Sequence, residues 1–262
     1  MSRYLLLLSL LLLSFFSYAQ TTESDTVYSK NVKDKYVITI LRPPGFRASQ
    51  KYHHIYIVDG SIGIGDYVLG KSNSWKAAIP PSCVIIAISH IGNWHEKRNR
   101  DFVPSDIRKN SHSTFGKADN FYLFLKNELI PIIEKKLPNK KDRVFIGHSL
   151  GGLFCLYTLF KDDLLFDRHF ALSPSIWANH YELNKIEEAF SRDHRRLQAN
   201  VMIYVGGLEF LNKVLFATRV FHSTMLARKY AGLNIEKKEF ADANHFSMRK
   251  PAIDQIFQSL KN

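Results

Sequence analysis

Cysteine is nearly absent. Cys83 and Cys155 are the two in 262 residues, which excludes a dense disulfide scaffold. One reads as strand and the other as buried helix, so both fit small buried hydrophobes better than a bridge. Acidic residues are also short, 24 against 36 lysines and arginines, for a net charge of +12. A chain this basic can meet nucleic acid, an anionic membrane surface or an acidic ligand. No helix-turn-helix, zinc-finger or RNA-binding signature accompanies the charge. Basic pairs such as Lys135-Lys136, Lys140-Lys141 and Arg195-Arg196 are scattered, as solvated helix ends are. Nucleic acid is therefore not an expected partner, and attraction of an anionic small molecule is. The glycines lack a dinucleotide fingerprint: Gly63 and Gly65 are followed by Val68 where a third glycine is required. A zinc helix is lacking too, because His95-Glu96 is followed by Asn99 where a second histidine would stand. No metal or cofactor is expected. Repeats, low-complexity tracts and interdomain linkers are missing.

A long apolar run occurs once. Leu5 to Phe16, after Arg3 and before Ser17-Tyr18-Ala19, has the form of a signal peptide over residues 1–19, with cleavage leaving Gln20 first. It is short for a membrane span of ~20 residues. The expectation is an exported protein, periplasmic or secreted, with residues 20–262 as a single domain that keeps no stable membrane span.

What is present centres on Asp142 to Phe160. Gly147-His148-Ser149-Leu150-Gly151 matches G-x-S-x-G, a serine on a sharp turn from a buried strand into a helix. Arg143 to Ile146 suits the strand and Leu150 to Phe160 the helix. Glycines are needed at 147 and 151 because side chains there would strike neighbouring backbone. The motif alone also describes a helix N-terminus that Ser149 merely caps. Strands alternate with helices through most of the chain, with strands expected at Lys35–Leu41, His54–Val58, Ser82–Ser89, Arg168–Leu172, Ala199–Val205 and Ile235–Phe240. This order predicts an α/β fold, a mostly parallel sheet with helices on both faces. Thr21 to Asp34 reads as a polar leader and His90 to Gly116 as a long aperiodic loop. Lys117 to Leu137 reads as a helix kinked at Pro131.

In such sheets functional groups gather at the carboxyl ends of strands. A serine hydroxyl needs a base, and the base needs a group to hold its tautomer. Five histidines follow Ser149, and His245 alone lies in a short polar loop after the last strand. The acid is open between Glu209, Asp242 and no acid at all. Oxyanion donors are expected from Leu150 N–H and from Ser61, after the HIYIV strand. His148 is expected to line the pocket.

The segments IYIVDG, RNRDFVPS, FLKNELIPIIEKKL, GHSLGGLFCLYTLF, ALSPSIW and NHFSM, in this order, resemble the Putative esterase family of α/β-hydrolases. That family includes esterase D, ferric-enterobactin-type siderophore esterases, feruloyl esterases and mycolyltransferases. The resemblance covers most of the chain after about Tyr36. It implies a Ser149 nucleophile, a His245 base, oxyanion donors at Ser61 and Leu150, and Arg98 and Trp177 bordering the substrate. Its nearest branch is the siderophore esterases, whose substrates are anionic iron-catecholate lactones. Some members of that branch lack the acid. The reading is a serine esterase acting on a small-molecule ester. Carbohydrate-aryl or acetyl esters, acyl transfer, and a non-catalytic binding protein on the same scaffold are the rivals.

Overall fold

Eight strands form one sheet in the order β1-β2-β4-β3-β5-β6-β7-β8. They are β1 (Thr21–Ser29), β2 (Asp34–Arg42), β3 (Tyr52–Val58), β4 (Cys83–His90), β5 (Lys140–His148), β6 (Arg168–Leu172), β7 (Arg196–Gly206) and β8 (Ala231–Phe240). The structure is a computed structural model and describes residues 20–70, 77–106, 115–210 and 213–261. The expected signal peptide at residues 1–19 therefore lies outside the described residues. β1 and β2 run antiparallel to their neighbours; β4, β3, β5, β6, β7 and β8 are mutually parallel. The central strands read as unbroken apolar runs because both of their faces are covered. On β3, Tyr56 and Val58 join the aromatic core under one helical layer, with Phe121, Phe124, Phe145 and Phe154. Ile55 and Ile57 point the other way, to Ile253, Ile256 and Phe257. Cys83 and Cys155 are buried free thiols, and burial pushes the Cys83 thiol up to about 12.

The helices are α1 (Ile64–Leu69), α2 (Trp94–Phe102), α3 (Ala118–Phe124), α4 (Ile130–Lys136), α5 (Leu150–Tyr157), α6 (Ala178–Asp193), α7 (Val214–Arg228) and α8 (Arg249–Ser259). No helix of the described residues is long and apolar enough to cross a membrane.

Two sequence expectations need correction. The polar leader at 21–34 contains β1, an edge strand whose side chains are mostly exposed. Its nine residues pair with β2, so backbone hydrogen bonds define it without an apolar stripe. The aperiodic stretch at 90–116 contains α2, started by Asn93, whose Oδ1 accepts from Glu96 N–H at 3.3 Å. Pro131 stands in the first turn of α4. It follows a π-helical turn, Leu125–Leu129, in which Ile130 N–H reaches back to Leu125 C=O. The turn widens before a residue that has no N–H to give, and helical backbone runs unbroken from α3 into α4.

Candidate active site

The parallel strands deliver their carboxyl ends to one rim. β5 ends at His148, and Ser149 turns with φ 59° and ψ −118° before α5 begins. A non-glycine residue is rarely held there, and persists only when its surroundings over-determine it. Three backbone bonds do so: Ser149 N–H to Leu172 O at 2.9 Å, and Leu153 and Ser175 N–H to Ser149 O at 2.9 and 3.0 Å. A Cβ on Gly147 would stand 2.1 Å from Gly151 O, so only glycine lets the helix start this close to the strand. Ser149 Oγ shares a hydrogen bond of 3.2 Å with Ser175 Oγ. Leu150 N–H lies in the first turn of α5, among donors that a helix leaves without an internal partner.

His245 comes from the loop after β8. Asn244 Oδ1 accepts from Phe246 and Ser247 N–H, both at 2.9 Å, which folds the loop tightly around the histidine. Glu209 comes from a 3-10 turn after β7 and is 1% exposed. The two loops press together: a Cβ on Gly206 would be 2.4 Å from Ala243 O, and Leu208 N–H bonds that oxygen at 3.1 Å. His245 Nδ1 thereby meets Glu209 Oε2 at 2.6 Å. Glu209 Oε1 accepts from Ser173 Oγ and from Gly206 N–H at 2.9 Å. Burial alone would raise this carboxyl, but the bonds from His245, Ser173 and Gly206 outweigh it and hold it below the ordinary glutamate value. Asp242 is exposed at the end of β8 and is not among the partners of His245.

His148 is 7% exposed, its Nε2 lies 2.8 Å from His245 O, and its ring centre is 4.6 Å from that of His245. Burial first, and the neighbouring His245 second, push its basicity well below the ordinary histidine value. The neutral ring can donate from Nε2 to that carbonyl and so hold the His245 loop.

Two clefts meet at Ser149. The first, about 340 Å³, is walled by Asp59, Ile62, Trp94, Arg98, His148, His245, Phe246 and Arg249. The second, about 460 Å³, is walled by Val103, Phe115, Leu150, Ser175, Trp177 and Asn179. Arg98 and His95 belong to both. Arg98 Nε donates to Asp59 Oδ1 at 2.8 Å, and its Nη2 to His148 O at 3.4 Å. Asp59 itself has φ 60° and is 5% exposed; burial raises its carboxyl against the pull of Arg98. Trp177 is half-exposed at the mouth of the second cleft. Just beyond it Asn179, His180 and Tyr181 all take left-handed φ values, and Asn179 Nδ2 ties this lip to Ser105 O. Ser61 is exposed in the turn after β3, beside Ile62 and Gly63, which line the first cleft.

The sequence-derived residues Ser149, His148, His245, Glu209, Arg98, Leu150 and Trp177 thus share one rim; Ser61 stands at its edge. Sequence reasoning missed Ser175, the role of Ser173, Asp59 as the partner of Arg98, and Arg249. The S-P-S spacing after β6 was visible, but nothing local says what Ser173 and Ser175 face.

The model of the Esterase family, described as Putative esterase, matches residues 29–245. The chain belongs to this family. Among the esterases it is similar to the ferri-bacillibactin esterase BesA of Bacillus subtilis, 27% identical over 245 residues, covering 87% of this chain and 85% of that protein. It superposes on the crystal structure of BES protein from Bacillus cereus with a TM-score of 0.70 and 25% identity, covering 93% of this chain and 96% of that one. Against the siderophore hydrolase EstB from Aspergillus nidulans the TM-score is 0.72 at 20% identity, covering 92% and 95%. The fold is that of the α/β-hydrolases, and the protein is an enzyme acting on ester bonds.

Proposed function

We propose that this esterase is exported and cleaves siderophore-type esters or lactones with Ser149 as nucleophile, His245 as base and Glu209 as the acid that orients it. The observation that carries the reading is the 2.6 Å bond between Glu209 and His245, in a cleft that also contains Ser149 on its strained turn. The substrate class is drawn from the named activity of the Bacillus subtilis relative and from the basic charge of the chain.

In this reading Glu209 accepts the Nδ1–H of His245, which leaves Nε2 as the acceptor facing Ser149. Ser149 Oγ adds to the ester carbonyl carbon while Nε2 takes the hydroxyl proton. The oxyanion forms against the N–H of Leu150 and a second donor from the Ser61 turn. As the tetrahedral carbon collapses, its bond to the alcohol oxygen breaks and Nε2–H passes its proton to that oxygen. Water then repeats the sequence on the acyl-serine and frees the acid. Glu209 stays ionised throughout and stabilises the imidazolium.

A panel of ferric siderophore esters and p-nitrophenyl butyrate, with product masses measured, tests it. Ser149→Ala is expected to reduce turnover by a factor on the order of 10⁴ or more. Retained turnover in that variant excludes Ser149 as nucleophile, and a wild-type enzyme that ignores every siderophore ester excludes the substrate class. Export predicts a mature protein beginning at Gln20; an intact N-terminus recovered from the producing cell's envelope or medium removes that step.

A further inference from the structure

Two arginines wall the cleft that holds Ser149 and His245, and they differ in what surrounds their charge. Arg98 is spoken for: Asp59 lies 2.8 Å from its Nε. Arg249, four residues after His245 and first in α8, has no carboxylate within ion-pair reach among the described residues. Its Nε donates to Phe246 O at 3.0 Å and its Nη2 to Tyr67 Oη at 3.3 Å. Its guanidinium carbon lies 5.2 Å from the ring centres of both Tyr67 and Phe246. Gly63, at φ 56°, completes the cradle, because a Cβ there would come 3.3 Å from Arg249 Nη1. Every one of these partners is neutral. They hold the planar fork in place and leave its charge available, which is what a preorganised anion site requires.

The side of the ester it would meet follows from the proton path. The leaving oxygen must face His245, and the first cleft contains His245 whereas the second does not. Trp94 and Phe246 flank that cleft, 42% and 63% exposed, and offer faces to an aromatic ring. We propose that Arg249 is the anion-recognition residue of this esterase, taking the carboxylate or phenolate of an aromatic alcohol moiety. The assignment of the alcohol side rests on the reading of His245 as proton donor. The cradle itself does not.

Calorimetry with 4-hydroxybenzoate and its neutral methyl ester tests the site without turnover. The wild-type enzyme is expected to bind the carboxylate about 10- to 100-fold more tightly, as a charge-assisted bond allows. Arg249→Gln should remove that preference, and Arg249→Lys should keep part of it because the point charge survives without the fork. Raising salt on the wild-type enzyme should shrink the same ratio, a measurement that needs no variant. A wild type with no preference, or an Arg249→Gln enzyme that keeps it, overturns the proposal. Turnover of 4-butanoyloxybenzoate against its methyl ester then tests the side. If binding depends on Arg249 but neither ester is cleaved, the aromatic alcohol as leaving group falls and the anion site stands. If both are cleaved with the same preference in wild type and Arg249→Gln, the placement on the alcohol side falls.

Discussion

Glu209 shows how much one side chain can be asked to do. Its carboxylate receives three donors, from His245, Ser173 and Gly206, while 1% exposed. Glutamine has one acceptor oxygen, so either orientation sets its NH₂ against a donor. Glu209→Gln is therefore expected to lower kcat by about 10²- to 10⁴-fold, with a smaller change in KM. Asp242→Asn, at an exposed position, should leave kcat within about twofold. Steady-state kinetics on p-nitrophenyl butyrate checks both. Equal effects in the two variants, or none in either, would remove Glu209 from the proposed triad. The competition between these two acids was open in sequence because both follow late strands in the required order. Their difference is a matter of burial and reach, and neither quantity is local.

At the scale of elements, α2 matters most for the site because it carries Trp94, His95 and Arg98 to the clefts. Its anchor is polar. Asp101, fully buried, accepts from Tyr36 Oη at 2.6 Å, from His90 Nε2 at 2.9 Å and from Arg100. Bonds from Arg100 and His90 outweigh burial and hold the carboxyl below the ordinary aspartate value. Removing one partner of such a network strands the others, so Asp101→Ala is expected to cost about 3–5 kcal/mol. In a chain of this size that lowers Tm by roughly 10 °C. A scanning-calorimetry shift of less than about 2 °C would show that α2 is held by something else. This anchor also explains why α2 carries no apolar periodicity: its buried residues are Asp101 and Phe102 alone. β1 was missed for a related reason, since a strand of threonines, serines and acids draws its order from the edge it pairs with.

At the scale of the molecule, acid should unfold this protein early. His169 is fully buried and His54 nearly so, and desolvation pushes them down to about 3 and about 4 from an ordinary 6.5. Their native forms are neutral, and the unfolded chain takes up protons first as pH falls. Stability from this source is intact above about pH 6.5 and is lost on descending toward 4 and then 3, at about 1.4 kcal/mol per unit per group. The depressed carboxyls of Asp101 and Glu209 lose stability in the same direction, at lower pH. Thermal unfolding followed from pH 7.5 to 4.5 should show Tm level down to about pH 6.5 and falling below it, with a shallower fall in His169→Gln. A flat profile would mean that both histidines can take up a proton in place. Neither histidine could be distinguished from a candidate base by residue type. Position within a strand separated them from His245, and the structure adds the desolvation that position implies.

The alternation of strand and helix, the turn at Ser149 and the placing of His245 after the last strand are legible in the order of residues alone. These are short-range matters: periodicity over one element, and the steric room that Gly147 leaves beside Gly151. Packing between distant segments brings Glu209 to His245, sets Asp59 against Arg98, and leaves Arg249 among neutral partners beside the same cleft. Those outcomes depend on distances between groups far apart in the chain. Strand order and the packing of one strand-end loop on the next set such distances, and no local stretch encodes them.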